Sequence, residues 1–199
     1  MTNAPVALTI FLLTLAITLF VMYRKQSLYS KLILSPYAVN HNNEWYRFLT
    51  SGFIHADLMH MGFNMLTFYF FAFRYETLTS GLQFLIVYIG SMILADVVTY
   101  IRNKDNPRYA ALGASGAISG LLFSFILYDP SMSLYIMFVP IPIPAPIFAV
   151  LYLVYCWYAD KQSADNINHN AHMWGALAGL AITLVLDPST FKGFFQYLF

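Results

Sequence analysis

"ALGASGAISG", Ala111 to Gly120, lies deep in a chain otherwise rich in Leu, Ile, Phe, Tyr and Met. Only Leu112 and Ile118 in this stretch are large, and Ser115 and Ser119 carry hydroxyls. Bulk would fill an apolar interior better, so a run of small residues marks a place where backbones must come close. The composition says what kind of interior this is. Of 199 residues, 59% are hydrophobic and 10% charged, and the mean hydropathy is +0.62. Soluble domains carry about 25% charged residues, so this chain is built for lipid. A net charge of +1 with no basic stripe argues against nucleic acid as a partner. Cys156 is the single cysteine, which excludes an intrachain disulfide and argues against a thiolate metal cluster.

Six apolar segments lie between charged or turn-rich punctuation: roughly Pro5–Tyr23, Leu58–Phe73, Leu82–Ile101, Tyr109–Tyr128, Pro146–Tyr158 and Ile167–Leu186. About 20 apolar residues cross a bilayer as a helix. The expected fold is therefore all-α, a polytopic six-helix membrane bundle forming one domain over residues 1–199. The second and fifth segments are short and would borrow from Phe53–Ala56 or Phe138–Ala145. The first is read as an anchor: "MTNAP" lacks a basic n-region and no small-residue cleavage site precedes Arg24. "VPIPIPAP" (Val139–Pro146) has proline at alternate positions and reads as an extended connector. Trp45, Tyr46 and Arg47 in the long first loop form an aromatic–cation cluster of the kind found at headgroup level.

Strongly polar side chains are expensive in hydrocarbon and are functional candidates there. Three clusters qualify. "HADLMHMGFN" opens the second span with His55, His60 and Asn64, and the spacing of four puts His60 and Asn64 on one helical face. Ser115 and Ser119 open the fourth span. "AHMWGALAG" opens the sixth, with His172, Gly175 and Gly179 on one face. Ser115 follows Arg108 by seven residues and His172 follows Asp165 by seven, a depth of about 10 Å in each case if helix begins at the charge. The second, fourth and sixth spans cross in the same direction, so all three clusters enter from one side at one level.

Gly116 and Gly120 form a small-xxx-small pair on the fourth span, as do Gly175 and Gly179 on the sixth. Such faces let helices touch, bringing Ser115 within reach of His172, and a serine beside a base is the minimum for an activated nucleophile. Each signal has a bland reading of its own: packing for the glycines and serines, a structural hydrogen bond for His172 or for His60 with Asn64. The combination on three co-directional spans favours chemistry. Metal chemistry has less support. No HExxH is present, and although His169 and His172 are three apart, no carboxylate joins them, so no metal or cofactor is expected. Asp96, near the Arg102 end of the third span, reads as an interfacial or helix-pairing residue.

"HADLMHMGFN", "GASGAISG" and "HNAHMWGALAG", in that order, resemble the rhomboid intramembrane serine proteases, as do Trp45-Tyr46-Arg47 and the "ETLTSG" containing Glu76 and Gly81. The resemblance runs from about Glu44 to Gly179. It implies a catalytic dyad with Ser115 as nucleophile and His172 as general base and then general acid. It implies an oxyanion site from the Ser115 N–H with His60 and Asn64. His55, Gly113, Gly116, Gly175 and Gly179 would be supporting residues, and the fourth span would begin inside the membrane under a water-filled cavity. The implied substrates are membrane proteins whose transmembrane segment unwinds near the surface, with a small residue before the cut. The implied setting is a bacterial inner membrane.

Two features depart from the family pattern. Many rhomboids carry a tyrosine four residues after the nucleophile, stacked on the catalytic imidazole; Ser119 stands there in this chain. Eight of the ten Lys and Arg residues fall in the first, third and fifth loops, against Arg74 and Lys192 on the other side. The positive-inside rule thus opposes the family orientation, which is nonetheless preferred on the ground that the first loop binds the interface. Two other functions stand beside the protease: a non-catalytic member that escorts membrane clients, and a small-solute transporter, although no repeated halves are visible.

Overall fold

The computed structural model of the chain describes residues 3–135, 141–162 and 167–198. Helix α1 is Pro5–Tyr23, with proline in its first turn, where a missing N–H costs nothing. No side chain of its own caps it. Instead Glu76, from a later helix, accepts the N–H groups of Val6 (3.1 Å) and Ala7 (2.6 Å). The first loop then folds into three short helices, α2 (Tyr29–Leu32), α3 (Pro36–Asn42) and α4 (Arg47–Thr50). Ser35 caps α3 by accepting from Ala38 N, and Asn43 ends it at φ 58°, a left-handed conformation that asparagine tolerates. Arg47 holds the loop together. It is buried, and its guanidinium donates to the Ser30 (2.9 Å) and Ile33 (2.6 Å) carbonyls and pairs with Glu44. Trp45 and Tyr46 stay at the surface as expected, whereas Arg47 turns inward to satisfy those two carbonyls.

Helix α5 (Leu58–Leu78) is capped by Asp57, and α6 (Gly81–Asn103) by Ser80. Helix α7 (Ser115–Tyr128) is the central pillar, buried at every position from Gly116 to Leu127. It packs against α5, α6, and the helices α8 (Ala145–Gln162) and α9 (His169–Leu186). A buried polar knot joins Tyr75 of α5, Ser124 of α7 and Thr183 of α9, so no hydroxyl there is left dry and unpaired. Between α7 and α8, Ser133–Leu134 (β1) pairs antiparallel with Ile143–Pro144 (β2). Helix α10 (Ser189–Leu198) turns away from α9 by 114°.

Three expectations change. The fourth span does not start at Tyr109. Residues 104–114 are irregular, Ala111 exchanges backbone hydrogen bonds with Leu34, and α7 begins at Ser115 itself. The depth counted from Arg108 along a helix therefore does not apply. Likewise the connector is extended only as far as Pro144: Ala145 and Pro146 already belong to α8, since proline fits a first helical turn. Val139 and Pro140 lie outside the described residues, as does Asp165, from which the depth of His172 was counted. Last, α5 is longer than its apolar core and continues to Leu78, carrying Glu76 to its partner.

Among the described residues, α1 (mean hydropathy 2.5) and α6 (2.0) are each long and apolar enough to cross a membrane, and α9 with α10 would count as a third if taken as one broken span. The outer surface is apolar, with Leu12, Phe20, Phe70, Leu94, Val150 and Val185 all exposed. Soluble monomers seldom expose apolar surface on this scale. The fold is an all-α membrane bundle, with polar side chains such as Thr14, Thr18, Ser91, Ser124 and Thr183 buried inside it.

Candidate active site

Placement of Ser115 begins with glycines. A Cβ on Gly175 would overlap the Gly116 carbonyl oxygen, and one on Gly179 would overlap that of Gly120. A Cβ on Gly120 would stand 2.8 Å from the Gly175 oxygen and would collide with Ser91 of α6. Helices α7 and α9 thus meet backbone to backbone, the close approach that small-xxx-small faces permit. One residue before Gly116 is Ser115, at the first position of α7; one after Ala171 is His172, in the first turn of α9. A Cβ on Gly116 would lie 3.4 Å from the Ala171 oxygen, so the two helix starts are neighbours.

Ser115 and His172 both line a cavity of about 1030 Å³. Asn64, Phe63 and Phe70 of α5 and Phe148, Tyr152 and Tyr155 of α8 also face it. Its wall is mostly apolar, with polar groups that include Asn64, Ser115, Ser119 and His172, the usual make-up of a binding site. Asn64 donates one amide hydrogen to the His60 carbonyl (2.9 Å), and an amide has a second to offer. As the first residue of α7, Ser115 presents an N–H with no partner inside its own helix.

His60 is placed differently. It does not line the cavity; its ring stands on Gly113, where a Cβ would come within 2.7 Å of Cε1 and Nε2. Gly113 also has φ +113°, so glycine is required there on both counts. His55 holds the strand of chain that leads into Ser115. Its Nε2 accepts from Ala114 N–H (3.4 Å), its Nδ1 donates to Thr18 Oγ1 (3.1 Å), and Thr18 passes the chain on to the Phe53 carbonyl. Burial, with His60 close by, pushes its pKa down to about 3 against a smaller opposing pull from Asp57, so the ring is neutral.

Behind Ser115 a second void of about 20 Å³, room for a single water, is lined by Asp96, Ser51 and Asn168. Asp96, half-buried, accepts from Ser51 Oγ at 3.1 Å and so tethers α6 to the first loop.

Two groups were not legible beforehand. Ser119, where the family's tyrosine usually stands, shares a hydrogen bond of 2.6 Å with Tyr152 of α8, which reaches into the same cavity. Cys156 of α8 lies with His169 and His172 such that their ligand atoms are all within 4.8 Å of one another. The rings of His169 and His172 meet edge to face at 5.9 Å. Residues 13 or more apart on two helices give no local spacing to read.

A Rhomboid domain model matches residues 42–189, about three quarters of the sequence, and spans every element just described from α4 to α9. The chain belongs to the rhomboid family. Curated relatives include the "Putative rhomboid protease YdcA" of Bacillus subtilis (strain 168), 39% identical over 80 residues, 40% of this chain and 39% of that one. "RHOMBOID-like protein 12, mitochondrial" of Arabidopsis thaliana is 27% identical over 75% of this chain and 47% of its own. The human "Presenilin-associated rhomboid-like protein, mitochondrial" is 30% identical over 66% of this chain and 35% of its own. The matches thus cover under half of each relative's length. As a rhomboid with an apolar exterior, this is an integral membrane protein.

Proposed function

We propose that this rhomboid is an intramembrane serine endopeptidase that cuts membrane proteins within or beside a transmembrane segment. The observation that carries this reading is that Ser115 and His172 stand at adjoining helix starts and line one cavity, which Asn64 lines as well. Ser115 Oγ attacks the scissile carbonyl while His172 takes its proton, and His172 then returns that proton to the leaving amine. The tetrahedral oxyanion is held by the Ser115 N–H and the Asn64 side chain, with His60 joining them once its ring swings off Gly113. Water for deacylation comes through the cavity.

The substrate enters as unwound chain, because a helix fills its own hydrogen bonds and hides its carbonyls. The apolar walls contributed by α5 and α8 suit the flanking side chains of such a segment. The bundle crosses the bilayer six times, as α1, α5, α6, α7, α8 and α9, and sits in a bacterial inner membrane. The name of the relative "Putative rhomboid protease YdcA" supports the same reading. A purified sample should cleave a model transmembrane substrate in detergent and take up a fluorophosphonate at Ser115. Ser115→Ala and His172→Ala should each abolish cleavage. Undiminished cleavage by Ser115→Ala would remove the enzyme and leave a client-binding membrane scaffold.

A further inference from the structure

Cys156, His169 and His172 converge from α8 and α9 with their ligand atoms all within 4.8 Å of one another. Cys156 and His169 are buried, whereas His172 is partly open and lines the large cavity. One thiol and two imidazoles are the donor set that suits a borderline-soft cation such as Zn²⁺. Four-coordinate Zn²⁺ with bonds of 2.0–2.3 Å places its ligand atoms about 3.5 Å apart, so closure asks about 1 Å of the side chains. Helix α8 can supply that movement, since among its described residues only Ala145 and Cys156 are fully buried.

We propose that this cluster is an inhibitory Zn²⁺ site that switches the enzyme off by occupying its general base. The ion enters from the cavity and bonds a ring nitrogen of His172, a ring nitrogen of His169 and the sulfur of Cys156. The thiol proton leaves to water through the cavity as the S–Zn bond forms. A fourth position faces the cavity and takes water. With its lone pair committed to the metal, His172 no longer accepts the Ser115 proton, and acylation stops. Because Cys156 has no part in the reaction, the site can be removed without removing the chemistry. The inhibitory part of this inference rests on His172 acting as the base; the binding part does not.

The two parts have separate tests. Co²⁺ titrated into detergent-purified Ser115→Ala protein should develop a thiolate-to-metal charge-transfer band, absent in Cys156→Ala and weaker in His169→Gln. No thiolate band in Ser115→Ala would overturn the site, whether or not the chain cleaves anything. In the cleavage assay Zn²⁺ should inhibit the wild type, and EDTA should restore the rate. Cys156→Ala should cleave normally without Zn²⁺ and need at least about tenfold more of it for half inhibition, as loss of a ligand group requires. Equal sensitivity of Cys156→Ala and wild type, or a wild type indifferent to Zn²⁺ while Co²⁺ binds, would overturn the switch.

Discussion

Gly175 of α9 rests directly on the carbonyl oxygen of Gly116 in α7, with no room for a methyl group between them. One turn further on, Gly179 sits on Gly120 in the same way. A carbonyl cannot rotate aside as a flexible side chain can, so these contacts fix the distance between the helices that carry Ser115 and His172. Gly175→Ala and Gly179→Ala should each destabilise the protein by about 3 kcal/mol or more, at the upper end for overpacking. Cleavage should fall with them. Gly62→Ala and Gly193→Ala are the controls: nothing lies within 4 Å of either new Cβ, and melting in detergent should stay level or rise.

Glu76 brings a carboxylate to the start of α1, where two N–H groups would otherwise be dry. Helix starts favour negative charge, and charged hydrogen bonds are the stronger kind. Glu76→Gln should lower stability by about 1–2 kcal/mol, read as a drop in the melting temperature. Protein that remains folded should cleave at the wild-type rate, because Glu76 does not line the cavity.

His55 makes stability depend on pH. Its folded pKa of about 3 lies below its ordinary 6.5, so in acid the unfolded chain binds the proton first. The contribution is intact above 6.5 and is lost as pH falls from there towards 3, at about 1.4 kcal/mol per pH unit. Melting curves across that window should show the slope, and His55→Gln, which can keep both hydrogen bonds without titrating, should flatten it. An identical slope in the variant would assign the acid sensitivity elsewhere.

Asn64 lines the cavity from α5, and its amide has a hydrogen left to donate there. Asn64→Ala should cut kcat by about 10²–10³, the usual loss for one oxyanion donor, with KM and the melting temperature little changed. A raised KM with kcat unchanged would instead make Asn64 a binding residue.

Local patterns carried a good deal. An uninterrupted apolar run placed α1 over Pro5–Tyr23, because a helix in lipid needs nothing but length and apolar surface. The glycine spacing announced the α7–α9 contact, since residues four apart share a face whatever the rest of the fold does. The resemblance named His60 as an oxyanion donor and His55 and Gly113 as supporting residues, but gave no sign that the His60 ring is seated on Gly113.

What escaped sequence reading depended on residues far apart in the chain. Tyr109–Ala114 looks helical by composition, yet Ala111 pairs with Leu34 and Gly113 takes a positive φ, so α7 opens at Ser115. Glu76, Arg47 and the Ser119–Tyr152 pair gained their partners only when separate helices docked. The same holds for Cys156 beside His169 and His172. Periodicity records which face of an element is apolar, and so it foretold the helices and the faces that touch. It holds no record of which distant atom completes a hydrogen bond or a ligand set, and only the packed bundle decided that.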